Sequence, residues 1–206
     1  MNTKHRILDE ALTLFSEKGY ANVFVSDIAE RVGIKAPSLY KHFRSKQAIF
    51  DAIIGEMNDR FLDEAKELRI AGNDAAADAE TYKGLSEEQV IRLGIDLFRY
   101  QLHDDYARRI RKMLTIEQFH DPSLGAVYSK QYIDGPLAYE EQLLAMLAKQ
   151  GVLRTENAET MTLHFFAPFY LWMTVCDREP EREPEAIRIL EEHMTQFNKL
   201  YGRKTE

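Results

Sequence analysis

The chain reads as an all-α protein: a small N-terminal three-helix domain with a helix-turn-helix, joined by one long helix to a larger helical domain. Three observations carry this reading. Apolar residues recur three and four apart along most of the chain, and no stretch alternates convincingly as a strand. Residues 25–50, VSDIAERVGIKAPSLYKHFRSKQAIF, hold two short amphipathic helices, a glycine between them and a third helix start just after. The run LHFFAPFYLWMTV (163–175) is apolar on all sides, so more than one neighbour must bury it.

In chain order, the first helix starts near Thr3, puts Ile7, Leu8, Ala11, Leu12 and Phe15 on one stripe, and stops at Gly19. Ser26 is suited to cap the second, whose Ile28, Ala29 and Val32 share a face. Gly33 suits the left-handed turn that follows, and Pro37 a first helical position, where its missing N–H costs nothing. Leu39 and Phe43 point inward, leaving Ser38, Tyr40, Lys41 and His42 further out. Ser45 opens a long fourth helix through Leu68. The segment 71–84 loses periodicity and reads as a loop or a frayed end. Ser86 and Gln89 form a capping box for a helix to about His103. Another covers roughly 104–118, HDPSLG (120–125) is a loop, and a further pattern runs to Lys149 before Gly151. Thr155 caps the apolar helix through Cys176, the polar run 177–185 is a loop, and the last helix takes Pro184 near its start and ends at Tyr201.

The 206 residues are 45% hydrophobic, which suits a globular chain of one or two domains. No apolar stretch reaches the length of a membrane span, and MNTKHRILDE lacks the apolar core of a signal peptide. A single cysteine, Cys176, rules out an internal disulfide. A cytoplasmic protein is expected, with no membrane partner. The net charge of −7 argues at first against nucleic acid, yet its distribution reverses the argument. Residues 1–50 carry +3 and the rest −10, as a basic contact surface on an acidic body requires.

A short helix presenting hydroxyls, a phenol, an ammonium and an imidazole is equipped for a DNA groove. From Ile7 to about Ile53 the chain resembles the DNA-binding domain of the TetR (tetracycline-repressor) family of bacterial regulators. The resemblance rests on ALTLFSEKGY, VSDIAERVG and SLYKHFRSKQAIF, with Tyr40, Phe43 and Ser45-Lys46 its most specific part. The domains are then 1–47 for DNA binding and 48–206 for ligand binding and dimerisation. Lys35, Ala36, Pro37, Ser38 and Lys41 are placed to face bases, because lysine can donate to guanine and small side chains can meet the thymine methyl. Tyr40 and His42 reach phosphates, as matching positions do in the family. Lys46 and Ser26 sit in first turns of helices, where free N–H groups attract a phosphate. Arg44 reads equally well as a solvated surface charge. Lys4 and Arg6 are too few for a minor-groove arm.

The resemblance also implies a homodimer through the last two helices, and the excess of apolar residues over 163–175 agrees. Phe98, Leu102, Met113, Phe119, Tyr132, Met146, Phe165, Phe169 and Trp172 are candidates to line a cavity for a small apolar effector, although such a stripe is often plain core. The six histidines show no metal spacing, and there is no phosphate-binding glycine loop or nucleophile elbow. No cofactor, metal or enzymatic activity is expected. The reading is a repressor that binds a near-palindromic double-stranded operator as a dimer and is released by its effector. The alternatives are an activator, an effector-independent regulator, or a helical enzyme fused to a DNA-binding head.

Overall fold

The computed structural model describes residues 2–203. It holds α1 (Thr3–Lys18), α2 (Val25–Val32), α3 (Ala36–Tyr40), α4 (Lys46–Glu67), α5 (Ala75–Lys83) and α6 (Glu87–His103). Then follow α7 (Asp105–Glu117), α8 (Pro122–Ser129), α9 (Gly135–Lys149), α10 (Ala158–Cys176) and α11 (Glu183–Tyr201). A π-helical turn at Lys130–Asp134 leads into α9, and a 3₁₀ turn at Pro180–Arg182 leads into α11. Among the described residues no strand forms. A single antiparallel bridge pairs Leu153 with Gly202.

By packing, the chain forms two compact units, each built from two stretches. The first is Met1–Arg60 with Asp105–Tyr128, and the second is Phe61–Asp104 with Ser129–Glu206. The expected boundary after residue 47 is a single cut. The packing instead groups α7 and α8 with the head.

In the first unit, Ile7, Leu12 and Phe15 of α1, Ile28 of α2, Leu39 of α3 and Ile49, Phe50 and Ile53 of α4 are all fully buried. Tyr20 stacks edge-on between Phe15 and Phe50, with ring centroids 5.0 and 5.2 Å away. One ion pair and two further hydrogen bonds tie α7 to α1 and to the loop after it. Arg109 donates to Asp9 Oδ1 at 2.8 Å and to Thr13 Oγ1 at 2.9 Å, and Glu117 Oε1 accepts from the Tyr20 N–H at 3.0 Å. In the second unit, α5, α9, α10 and α11 enclose a core that includes Ala79, Leu144, Leu147, Met161 and Phe197.

Several local expectations need correction. The segment 71–84 contains α5: Asp74 caps it through the Ala76 and Ala77 N–H groups, and its buried face is Ala75, Asp78 and Ala79, two small side chains and a carboxylate that leave little apolar periodic signal. HDPSLG starts α8, because Asp121 takes the Ser123 N–H at 2.8 Å and Pro122 fills the first position. Helix starts also shift by a residue or two. Asn2, not Thr3, caps α1. Asn157, not Thr155, caps α10, accepting from the Thr160 N–H at 2.8 Å. Ser45 does cap α4, through the Ala48 N–H at 3.0 Å, and the Ser86–Gln89 box stands before α6.

Candidate nucleic-acid interface

The interface is built on the turn between α2 and α3. Gly33 adopts φ 75° and ψ 32°, the left-handed region a side chain rarely enters. Its N–H closes α2 onto the Glu30 carbonyl at 2.9 Å, and the Ile34 N–H returns to Ala29 O at 2.9 Å. The chain then reverses into α3, whose first turn is closed by the Lys35 carbonyl accepting from Ser38 N at 2.8 Å. Pro37 is the second helical residue, after Ala36, where its missing N–H is still one of the unpaired set. Leu39 and Phe43 are both buried and anchor the helix from beneath.

That anchoring decides what faces outward. Lys35, Pro37, Tyr40, Lys41 and His42 are exposed, while Ala36 and Ser38 are half-buried. Helical geometry stops at Tyr40, so Lys41 is the cap residue and His42 lies on the following turn, which the Phe43 N–H closes onto Leu39 O at 3.0 Å. Two of the head's cations are tied down elsewhere: Arg31 pairs with Glu10 at 3.0 Å, and Arg6 donates to the Val32 carbonyl at 2.7 Å. Arg6 is thereby spent on the C-terminus of α2.

Ser26, Ala36, Tyr40 and Lys46 come together around one open depression of about 380 Å³, with Phe24 on its rim. Ser26 does not cap α2. The helix begins a residue earlier, because the Asp27 carboxylate reaches back to the Phe24 N–H at 2.7 Å. Ser26 therefore stands in the first turn, exposed, beside N–H groups that have no intrahelical acceptor. Lys46 is half-buried: its Nζ donates to Tyr20 O at 2.8 Å and lies 4.3 Å from the Tyr20 ring centroid. Partial burial lowers its pKa, and the Glu117 carboxylate works in the opposite direction. An ammonium has three donors, so one spent on Tyr20 leaves others for a phosphate.

Sequence reasoning missed Phe24, Tyr20 and Glu117. Phe24 is 67% exposed beside Ser26, and an aromatic next to a polar helix start is a signal of sorts. Tyr20 and Glu117 act through a backbone N–H and carbonyl that no side-chain pattern reveals.

The residues expected to line a cavity are divided between the two units. Phe119 is 84% exposed. The turn after α7 closes by the His120 and Asp121 N–H groups onto Glu117 O, which leaves the ring outside. Met113 is buried in the first unit, with the head. The other seven lie in the second. There Phe98, Phe169, Phe165 and Phe197 form a continuous run of ring contacts, with centroids 6.3, 5.5 and 5.1 Å apart, and Met146 packs on the same cluster. Leu102, Tyr132 and Trp172 are buried as well, and Arg182 covers the Trp172 ring at 5.1 Å.

Residues 7–53 match the family profile described as "Bacterial regulatory proteins, tetR family". Over these residues the head matches the TetR family. The head is similar to that of IcaR from Staphylococcus aureus, a negative transcriptional regulator of the icaADBC biofilm operon, with 54% identity over 48 residues. That match spans 23% of this chain and only 26% of IcaR. The whole fold is similar to a TetR-family regulator from Mesorhizobium loti, with TM-score 0.69, 19% identity and coverage of 98% of this chain and 97% of that one. It is also similar to SmeT, repressor of the Stenotrophomonas maltophilia multidrug efflux pump SmeDEF, with TM-score 0.65, 20% identity and coverage of 99% and 92%. IcaR and SmeT are both described as negative regulators or repressors of transcription. The DNA-binding part of the family pattern is the part with high identity, and the TetR body is shared here as a fold.

Proposed function

We propose that the chain is a transcriptional repressor that binds a near-palindromic double-stranded operator as a homodimer in the bacterial cytoplasm. The observation that carries this is the outward face of α3. Lys35, Pro37, Ser38 and Lys41 stand over a core fixed by Leu39 and Phe43, in a head with the TetR pattern. Lys35, Ser38 and Lys41, with Ala36 and Pro37, read base edges. Ser26, Tyr40, His42 and Lys46 meet the sugar-phosphate backbone. Two such heads fit successive major grooves about one helical turn apart.

Dimerisation uses α10 and α11. Leu163, Leu171 and Leu200 are large apolar side chains about half exposed on these two helices, a surface suited to a second copy. An apolar effector is the remaining part of the proposal. The half-buried Met146, Phe165 and Phe169, with Phe98, support a site in the second unit, and Met113 and Phe119 drop out of it. Such a ligand releases DNA only by binding the released form more tightly.

The test is selection of duplexes from a random-sequence pool by the purified protein. A pseudo-palindromic consensus with two half-sites about ten base pairs apart is expected. Recovery of no preferred sequence would end the reading.

A further inference from the structure

We infer that Glu117 is a positioning residue for the DNA-contacting lysine: it holds the Tyr20 N–H, and the carbonyl of the same residue holds the Lys46 ammonium. The chain of contacts is short. Glu117 Oε1 accepts from Tyr20 N at 3.0 Å, and Tyr20 O accepts from Lys46 Nζ at 2.8 Å. Glu117 is 5% exposed, and it is one of four buried polar or charged residues among those described. A buried carboxylate costs free energy unless it is well partnered, so a contact with a loop N–H needs a reason beyond solubility.

The surroundings are shaped to keep the arrangement. Gly19 has φ 82°, a conformation side chains rarely adopt, and a Cβ there would push against Glu117 Oε1 and displace it. The Tyr20 ring is wedged between Phe15 and Phe50, and its hydroxyl donates to Gln47 Oε1 at 3.0 Å, one residue beyond Lys46. The Tyr20 backbone between Glu117 and Lys46 therefore has little freedom. Moving the carboxylate moves the carbonyl, and moving the carbonyl releases the ammonium.

Glu117 belongs to α7, far along the chain from the DNA-binding motif, yet it packs in the same unit as the head. The consequence is regulatory. The lysine of the α4 first turn answers to the position of α7 against α1. A displacement of α7 that withdraws the carboxylate leaves Lys46 mobile, and a mobile ammonium costs more entropy to fix on a phosphate.

The inference rests on Lys46 being a phosphate contact, and the test separates the two. Affinity and its salt dependence are measured on one duplex selected from a random pool, for the wild type and a set of variants. Lys46→Ala is expected to weaken binding about tenfold and to make the salt slope shallower by about one per head engaged. Glu117→Ala is expected to weaken binding severalfold in the wild-type background and hardly at all in the Lys46→Ala background. Should the alanine variant fold poorly, Glu117→Asp and Glu117→Gln carry the test. Aspartate keeps the charge but falls one methylene short of the Tyr20 N–H, so it weakens binding. Glutamine keeps an acceptor at the right reach, so it binds like the wild type. Exchange of the Tyr20 amide is expected to speed up with aspartate and stay slow with glutamine. Equal losses from the Glu117 variants in both backgrounds would make Glu117 merely structural and overturn the inference. An unchanged affinity and salt slope for Lys46→Ala would remove the phosphate contact itself, and the inference with it.

Discussion

The head and the second unit place their polar chemistry on opposite sides of their cores. In the head, Ser26, Tyr40, Lys41 and His42 stand in solvent while Ile28, Leu39 and Phe43 beneath them are sealed. In the second unit the most committed polar group is interior. Asp78 is fully buried and accepts from Ala71 N at 2.6 Å, Gly72 N at 2.8 Å and the Tyr139 hydroxyl at 2.5 Å. A polar group held outside and unpaired is available to a partner. One saturated inside is architecture. The comparison teaches where recognition of a charged, hydrated macromolecule can happen in this fold, and which unit is left to dimerise and respond.

The largest effect expected from breaking that division is assembly. A chain truncated before Pro184 loses α11, exposes the apolar face of α10, and should give monomers or aggregates whose affinity for a selected duplex falls at least a hundredfold. Sedimentation and anisotropy titrations check it, and a well-behaved dimer with tight binding would contradict it.

Next in size is the interior of the second unit. Asp78→Ala strands two backbone N–H groups and a phenol, and should cost about 3 kcal/mol of stability. Thermal unfolding measures this. DNA affinity of the molecules still folded should hardly change, because the head keeps its own core.

How much of this was legible follows from the same division. The head could be read because its constraints are local. Gly33 must turn left-handed, and Leu39 and Phe43 must sit four apart, so the exposed residues are fixed by the buried ones. The helices of the second unit could be counted, apart from α5, whose buried alanines carry almost no amphipathic signal. Which aromatics line a cavity could not be read, because that depends on packing between helices distant in sequence. Phe119 lies outside and Met113 lies with the head, for reasons that no spacing encodes. The Glu117–Tyr20–Lys46 contacts run through the backbone of Tyr20, invisible in a string of side chains.

A smaller effect concerns pH. Burial, with Asp78 nearby, pushes the Glu140 carboxyl up to about 7, and the groups facing it are Asp78, Tyr82 and Tyr139. The folded state thus binds a proton that the unfolded chain releases near pH 4.5. Its stabilising contribution is complete below pH 4.5 and is lost as pH rises to about 7. Glu140→Gln should therefore raise stability by about 1–2 kcal/mol at pH 8, with the gain fading towards pH 4.5. Denaturant titrations at the two pH values check the sign.

The central claim is that the outward face of α3 reads DNA sequence while the first turn of α4 only holds the backbone. Competition binding with every single-base variant of a selected duplex tests it most directly, comparing Lys41→Ala with Lys46→Ala. Lys41→Ala should lose about 1–3 kcal/mol of discrimination at one base position in each half-site and little elsewhere. Lys46→Ala should weaken all variants by a common factor, with the ranking of bases unchanged. Sequence-blind losses of the same size from both substitutions would contradict the account.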